Sequence, residues 1–230
     1  MGSQKPKSNE PAKEQKKRSK DTTRDLNVTL AKDIKSKKAA TIKASGQNCL
    51  AVGIDEKAKV TVEGRVGDLF GALNNGATIV LNGTAGRFVG DTMNSGKITV
   101  NGDCGEGAGM YMYGGHIIIN GDAGDNIAQI AKGGAVVVNG NLGDFAGLYL
   151  TGGNIIVTGD TGDMTGDWMI KGAIFVGGDI GGMGNNTKIE NLTAEDKKFL
   201  ENIFSENKIK AQISKMKKIV PKDLRPFYKR

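Results

Sequence analysis

One spacing dominates this chain. Glycines stand at Gly64, Gly83, Gly102, Gly121, Gly140, Gly159 and Gly178, each 19 residues after the last. A second series follows three residues behind: Gly67, Gly86, Gly105, Gly124, Gly143, Gly162 and Gly181. A third runs Gly71, Gly90, Gly109, Ala128, Gly147 and Gly166, and a fourth Gly76, Gly96, Gly115, Gly134, Gly153 and Gly172. Self-similarity at a fixed period marks a repeat architecture, in which each unit buries its apolar face only against its neighbours.

The content of one repeat narrows the choice. Each holds a short β-branched run: Ile79-Val80-Leu81, Ile98-Thr99-Val100, Ile117-Ile118-Ile119, Val136-Val137-Val138, Ile155-Ile156-Val157 and Ile174-Phe175-Val176. Val60-Thr61-Val62 keeps the register one repeat earlier. Such runs, bounded by Gly or Asn, read as strands. A β-strand, crossover helix and second strand need about 30 residues, more than one repeat contains. The unit therefore fits one coil of an all-β solenoid: a single-stranded, right-handed parallel β-helix of about seven coils, each strand pairing with its equivalent ~4.8 Å away. The chain has 35 glycines but only 4 prolines in 230 residues, which excludes collagen and Pro-rich linkers and leaves tight corners as the use for glycine.

Columns follow from stacking. Val66, Ala85, Cys104, Ala123, Leu142, Thr161 and Ile180 lie two residues after the lead glycines and are small and mostly apolar, so they are expected to face inward. Asn82, Asn101, Asn120 and Asn139 precede lead glycines and predict an Asn ladder at a turn. Asp68, Asp125, Asp144 and Asp163 share another corner, interrupted by Arg87 and Glu106. Tyr111, Tyr149 and Trp168 fall nine residues after lead glycines, and Met93, Met112, Leu150 and Met169 one later. Together these two positions predict a bulky stripe, either core or a protein-binding face.

The ends lose the pattern. Residues 1–26 read as a disordered basic tail, with 8 Lys and Arg against 4 Asp and Glu. Residues 27–186 read as the β-helix with its N-terminal cap, in which Leu26-Asn27-Val28-Thr29-Leu30 and Ala40-Thr41-Ile42 look strand-like. Residues 187–230 read as a helical extension carrying 12 Lys and Arg against 6 Asp and Glu. Thr193 is placed to cap a helix whose face is Phe199, Leu200, Ile203 and Phe204, with Asp196 three residues on. A second helical stretch around Ile209, Ile213 and Met216 is followed by an aperiodic, apolar and basic close through Phe227 and Tyr228. That close is expected either to pack on its own coil or to dock on a partner. The basic ends lack aromatic interleaving or a nucleic-acid motif and read as solvated arms rather than as a nucleic-acid interface. No run of ~20 apolar residues predicts a membrane span, and no apolar signal segment opens the chain, so a cytoplasmic protein is expected.

Chemistry-bearing residues are sparse. There is one histidine, His116, at the start of a strand, and there are two separated cysteines, Cys49 and Cys104. Neither a nucleophile–base arrangement nor a zinc or iron–sulfur site is expected from them. The acidic columns lack the nine-residue spacing of a calcium β-roll. Stretches such as Gly102-Asp103-Cys104-Gly105-Glu106-Gly107 lack the strand–loop–helix context of a phosphate loop.

The Gly-x-x-Gly-x-x-x-Gly unit with its apolar triplet resembles the GXGXG β-helix domain of the glutamate synthase large subunit, over roughly residues 46–186. Leu50-Ala51-Val52-Gly53, Gly67 to Gly76, Gly184-Asn185-Asn186-Thr187 and Lys218-Ile219-Val220-Pro221 are similar to the stand-alone form of that domain, found in glutamate synthase and N-methylglutamate synthase sets. The resemblance implies a non-catalytic structural subunit that scaffolds ammonia transfer in glutamate biosynthesis. It implies no cofactor in this chain. The implied partners are a class II glutamine amidotransferase subunit and a glutamate synthase subunit that bears FMN and iron–sulfur clusters. Partner contacts are expected at Tyr111, Tyr149, Trp168, Phe227 and Tyr228. A similar domain forms the β-helix chain of formylmethanofuran dehydrogenase, the alternative reading within this fold. A stand-alone binding protein is another. A polysaccharide-active β-helix enzyme would need groove walls, and the coils between Gly64 and Gly178 contain no insertions.

Overall fold

The protein is described by a computed structural model over residues 22–227. A helix α1 (Thr23–Lys37) leads into β1 (Ala39–Gln47), β2 (Lys59–Val66), β3 (Asn75–Asn82), β4 (Ser95–Val100), β5 (His116–Ile119), β6 (Lys132–Val138), β7 (Gly152–Val157) and β8 (Ala173–Val176). Then come β9 (Thr187–Glu190), α2 (Ala194–Asn207), a 3₁₀ turn (Ile213–Lys215) and β10 (Lys217–Pro221). Strands β1 to β8 pair in parallel, each with the next in sequence. From Thr78 the partners run Lys97, His116, Ala135, Asn154 and Ala173, one every 19 residues. The expected parallel solenoid with 19-residue coils is the fold observed.

The register departs from 19 at both ends and at two places inside the stack, where Asn75 opposes Ser95 and Lys132 opposes Gly152 before bulges restore it. Ala39 opposes Lys59, and a bulge between Ser45 and Gln47 restores the common register at Gln47–Val66. At the other end Thr165 bridges Met183, so the last coil is one residue short.

Within each strand the first and third apolar residues point in. Ile79, Leu81, Ile98, Val100, Ile117, Ile119, Val136 and Val138 are all fully buried. The column two residues past the lead glycine also faces the core, linked by the bridges Ala85–Cys104–Ala123–Leu142 and Thr161–Ile180. Full burial of one such side chain contributes about 1.5–3 kcal/mol.

The middle residue of each strand faces out, and its chemistry changes along the stack. Thr61, Val80 and Thr99 are half-buried, whereas Ile118, Val137, Ile156 and Phe175 are covered. The cover is α2 through Leu200, Ile203 and Phe204, with Ile209 and Met216 beyond it. The helix starts where expected. Thr193 Oγ1 accepts from the Asp196 amide, and the Asp196 carboxylate accepts from the Thr193 amide and hydroxyl. That closes a capping box at the orphaned first turn.

Three expectations are corrected. Leu26–Leu30 is helical, not a β cap, and a domain boundary at residue 26 falls inside α1. The local reason is a second capping box, Thr22 with Asp25, and an apolar stripe Leu26, Leu30, Ile34 at helical spacing that buries against the first coil. The stretch around Ile209–Met216 forms only a 3₁₀ turn. The close of the chain is not wholly aperiodic: β10 lies antiparallel between β8 and β9. It closes the parallel stack by occupying the edge of β8, with Ile219 fully buried. Residues 1–21, which contain most of the basic tail, lie outside the described residues.

Candidate interaction surface

The edge opposite the strands is a left-handed turn repeated coil after coil. Counting from each lead glycine from Gly64 to Gly159, positions five, seven and nine carry positive φ. Position seven is filled by glycine, with Ala128 (φ 55°) the exception. Position nine never is: Leu73, Thr92, Tyr111, Ile130, Tyr149 and Trp168 all sit at φ 52–58°. Position five carries Leu69, Phe88, Asn126, Phe145 and Met164 in the same conformation, and Gly107 in one coil. A left-handed L-residue costs roughly 1–2 kcal/mol, and the β-branched Thr92 and Ile130 are among the worst suited to it.

This geometry divides the predicted stripe. Neighbouring positions in the arc point opposite ways, so Met93, Met112, Leu150 and Met169 are core, at 0–1% exposure. Tyr111 and Tyr149 point outward at 43% and 39%, and Trp168 is half-buried. Leu73, Tyr113 and Phe145 are also exposed and extend the face. The residues at position five and Tyr113 are not singled out by the sequence pattern above. Their signal is bulk at a fixed place inside a glycine-rich turn.

The C-terminal segment already covers part of this face. Asn186 anchors it: its carbonyl accepts from the Lys222 amide (2.7 Å) and its Oδ1 from the Asp223 amide (3.0 Å). Its Nδ2 donates to the carbonyls of Asp223 and Met169, both at 2.8 Å. Phe227 then lies on Trp168 (ring centroids 5.3 Å apart) and Tyr149 (6.2 Å) while remaining 53% exposed. Of the two expectations for the close, packing on its own coil is the one seen up to residue 227. Tyr228 lies outside the described residues.

The corner glycines are required by close approach. A Cβ on Gly83 or Gly102 would lie 2.0 or 2.7 Å from the carbonyl oxygen one coil back. On Gly121, Gly140, Gly159 and Gly178 it would lie 2.1–2.5 Å from the Oδ1 of Asp103, Asp122, Asn141 or Asp160. Those oxygens form a ladder that sequence reasoning missed. Asp103, Asp122, Asn141 and Asp160 each accept, through Oδ1, from the backbone amide at the same place in the next coil, at 2.7–2.9 Å. The second series repeats this one corner on, with Asp125 and Asp144 accepting from the amides of Asp144 and Asp163. There Gly143 and Gly162 leave room for Asp125 and Asp144. In the acidic column Arg87 reaches both neighbours, Asp68 at 2.8 Å and Glu106 at 3.5 Å. The hydrogen bond from the Arg87 side chain, then that from its backbone, holds the Asp68 carboxyl below its ordinary value. The Asn ladder is present as Asn120 to Asn101 to Asn82, ending on Glu63.

His116 sits at the edge of β5 between Lys97 and Ala135, half-buried. Among the described residues no three of His, Cys, Asp and Glu converge on a metal-sized site, and no helix is long and apolar enough to cross a membrane. The cysteines differ sharply. Cys49 is exposed, whereas burial, then the nearby Asp103 charge, pushes the Cys104 thiol up to about 12. Since the thiolate is the reactive form, Cys49 is expected to be titrated quickly by an aromatic disulfide reagent in the native protein and Cys104 only after unfolding. Equal rates would contradict the inward placement of Cys104.

A family model described as "GXGXG motif" matches residues 9–224. The match runs past the solenoid over both α1 and α2. No curated protein matches the chain significantly.

Proposed function

Since the chain belongs to the GXGXG motif family, that of the glutamate synthase C-terminal domain, we propose that it is a structural subunit of a glutamate-synthase-type complex. It holds a glutaminase chain and an FMN and iron–sulfur synthase chain in fixed relation and performs no chemistry itself. The observation that carries the reading is the family match across nearly the whole chain. The geometry agrees with the role. Consecutive strands pair in parallel from β1 to β8 with bulges at three of the pairings, and covering elements pack at both ends. Such a body is stiff along its length. Stiffness is the useful property where a released small molecule must travel between two active sites without escaping to solvent.

The outward face at positions five and nine is the surface assigned to partners, through Tyr111, Tyr149, Trp168 and Phe227. It is apolar, aromatic and partly exposed, the composition found at the centre of protein interfaces. Isolation of the tagged full chain from its native source tests the proposal. Co-purification of an amidotransferase chain and a flavin-coloured iron–sulfur chain is expected. Recovery of the chain alone and colourless at native expression overturns it, and partners carrying molybdopterin would replace it with the formylmethanofuran dehydrogenase reading.

A further inference from the structure

The turn edge holds an unusual choice. At position nine, six successive coils place a non-glycine residue in the left-handed region, where glycine or asparagine would be less strained. Two residues earlier, in the same turn, those six coils use glycine except at Ala128, while the first coil has the reverse order, Ala51 and then Gly53. Glycine at position seven is required by the core, since a Cβ there would lie 2.5–2.8 Å from inward side chains such as Ile98 and Ile117, whereas position nine, like position five, faces out and carries side chains in spite of the strain. Two of these side chains have an occupant. Tyr149 and Trp168, one coil apart, receive the ring of Phe227 from the C-terminal strap that follows β10. The strap is held to the solenoid by Asn186 as far as Asp223, and the ring contact four residues on is made by side chains.

The same pair of positions recurs two coils earlier as Tyr111 and Ile130, with nothing of the described chain stacked on Tyr111, which is 43% exposed. Beside it Tyr113 is fixed by Lys132, whose ammonium donates to the Tyr113 hydroxyl (2.8 Å) and lies 4.2 Å from its ring centre. This leaves a rung with an exposed aromatic face, a branched aliphatic neighbour and a second exposed tyrosine, Tyr113. We propose that the position-nine column is a docking ladder for a segment of a partner chain that presents an aromatic side chain. The ring lies on Tyr111 and Ile130 as Phe227 lies on Tyr149 and Trp168. The occupant is inferred from continuity with that intramolecular contact. Its identity as a member of the complex rests on the function proposed above, but the binding mode does not.

The strap itself supplies the probe. Trp168 is the one tryptophan of the chain. A Trp168→Phe, Tyr111→Trp double variant moves the fluorophore to the open rung and leaves an aromatic ring on the covered one. A synthetic peptide of residues 222–230 is titrated against it, beside a second peptide in which the phenylalanine is alanine. A saturable shift in emission is expected with the first, and the second is expected to bind roughly tenfold more weakly, the value of one well-seated ring. No saturable response, or equal responses to both peptides, overturns the ladder. If the double variant melts far below the wild type, the same peptides are titrated against the wild-type chain instead, with Tyr111 and Tyr113 followed by proton resonance shifts. There, shifts confined to the phenylalanine peptide are required. Peptide binding with no co-purified partners would sink the complex and leave the ladder standing. Partners without peptide binding would do the reverse.

Discussion

Replacing Gly83 by alanine is expected to destabilise the chain by at least about 3 kcal/mol. The new Cβ would stand 2.0 Å from the Gly64 carbonyl oxygen and 2.7 Å from its carbon. Both are backbone atoms, and they lie where β2 hands over to the next corner. Relief requires moving one coil away from another, which would pull against the ladder that pairs Lys59–Glu63 with Thr78–Asn82. Gly53→Ala is the control. Nothing lies within 4 Å of that Cβ, so only the left-handed φ of 67° opposes it, at about 1–2 kcal/mol. Denaturant midpoints measured side by side separate the two, because a change in midpoint at constant slope reports stability. Equal losses would mean that close approach is not what requires glycine at the lead position.

Asp196→Asn is expected to cost about 2–4 kcal/mol at neutral pH. One carboxylate serves two functions there. It closes the capping box with Thr193 and accepts from Lys218 Nζ at 2.7 Å, with both side chains only 14% exposed. Through that pair α2 is tied to β10, so the loss loosens the cover over Ile118, Val137, Ile156 and Phe175. Burial alone would raise the Asp196 carboxyl. The hydrogen bonds from Lys218 and Thr193 and the Lys218 charge outweigh it and hold the group below its ordinary 3.8. The sign of the pH effect follows. A carboxyl depressed in the folded state contributes stability that is present in full above 3.8 and is lost as pH falls through the folded value. The gap between wild type and variant should therefore be constant from neutral pH to about 5 and narrow below about 4. Removing the stranded cation as well, with Lys218→Met, should recover part of the loss, since an unpaired buried ammonium is the more destabilising defect. A gap that widens in acid would contradict the assignment.

The repeat made the fold legible because stacking multiplies every constraint. One coil's sequence is ambiguous, but seven lead glycines at one interval leave a solenoid as the only economical reading, and the inward column from Val66 to Ile180 follows from the register alone. What the periodicity did not reach is what breaks it. Leu26–Leu30 is apolar enough for a strand, and only the Thr22–Asp25 box and the place of Ile34 decide for helix. β10 is too short to announce itself, and it is antiparallel in a parallel stack. The outward strand column did carry a signal. The change from Thr61 and Thr99 to Ile118, Val137, Ile156 and Phe175 marks where α2 lies. The docking face was half legible. Tyr111, Tyr149 and Trp168 stood out by position, yet their fusion with Met112, Leu150 and Met169 into one stripe failed. Adjacent residues in a left-handed arc face opposite ways, and no propensity predicts tyrosine or tryptophan at positive φ. The partner of Phe227 could not be read at all, because a contact between a coil and a distant tail leaves no mark on the repeat.

In the proposed role, this chain holds two active sites in register without contributing to either reaction. The decisive experiment reconstitutes the partner chains with and without it and compares glutamine-dependent with ammonia-dependent product formation. Omission is expected to leave glutamine hydrolysis and the ammonia-dependent reaction in place while the glutamine-dependent reaction falls by roughly tenfold or more, the scale of an effect that comes from positioning alone. Full glutamine-dependent turnover without the chain would rule that role out.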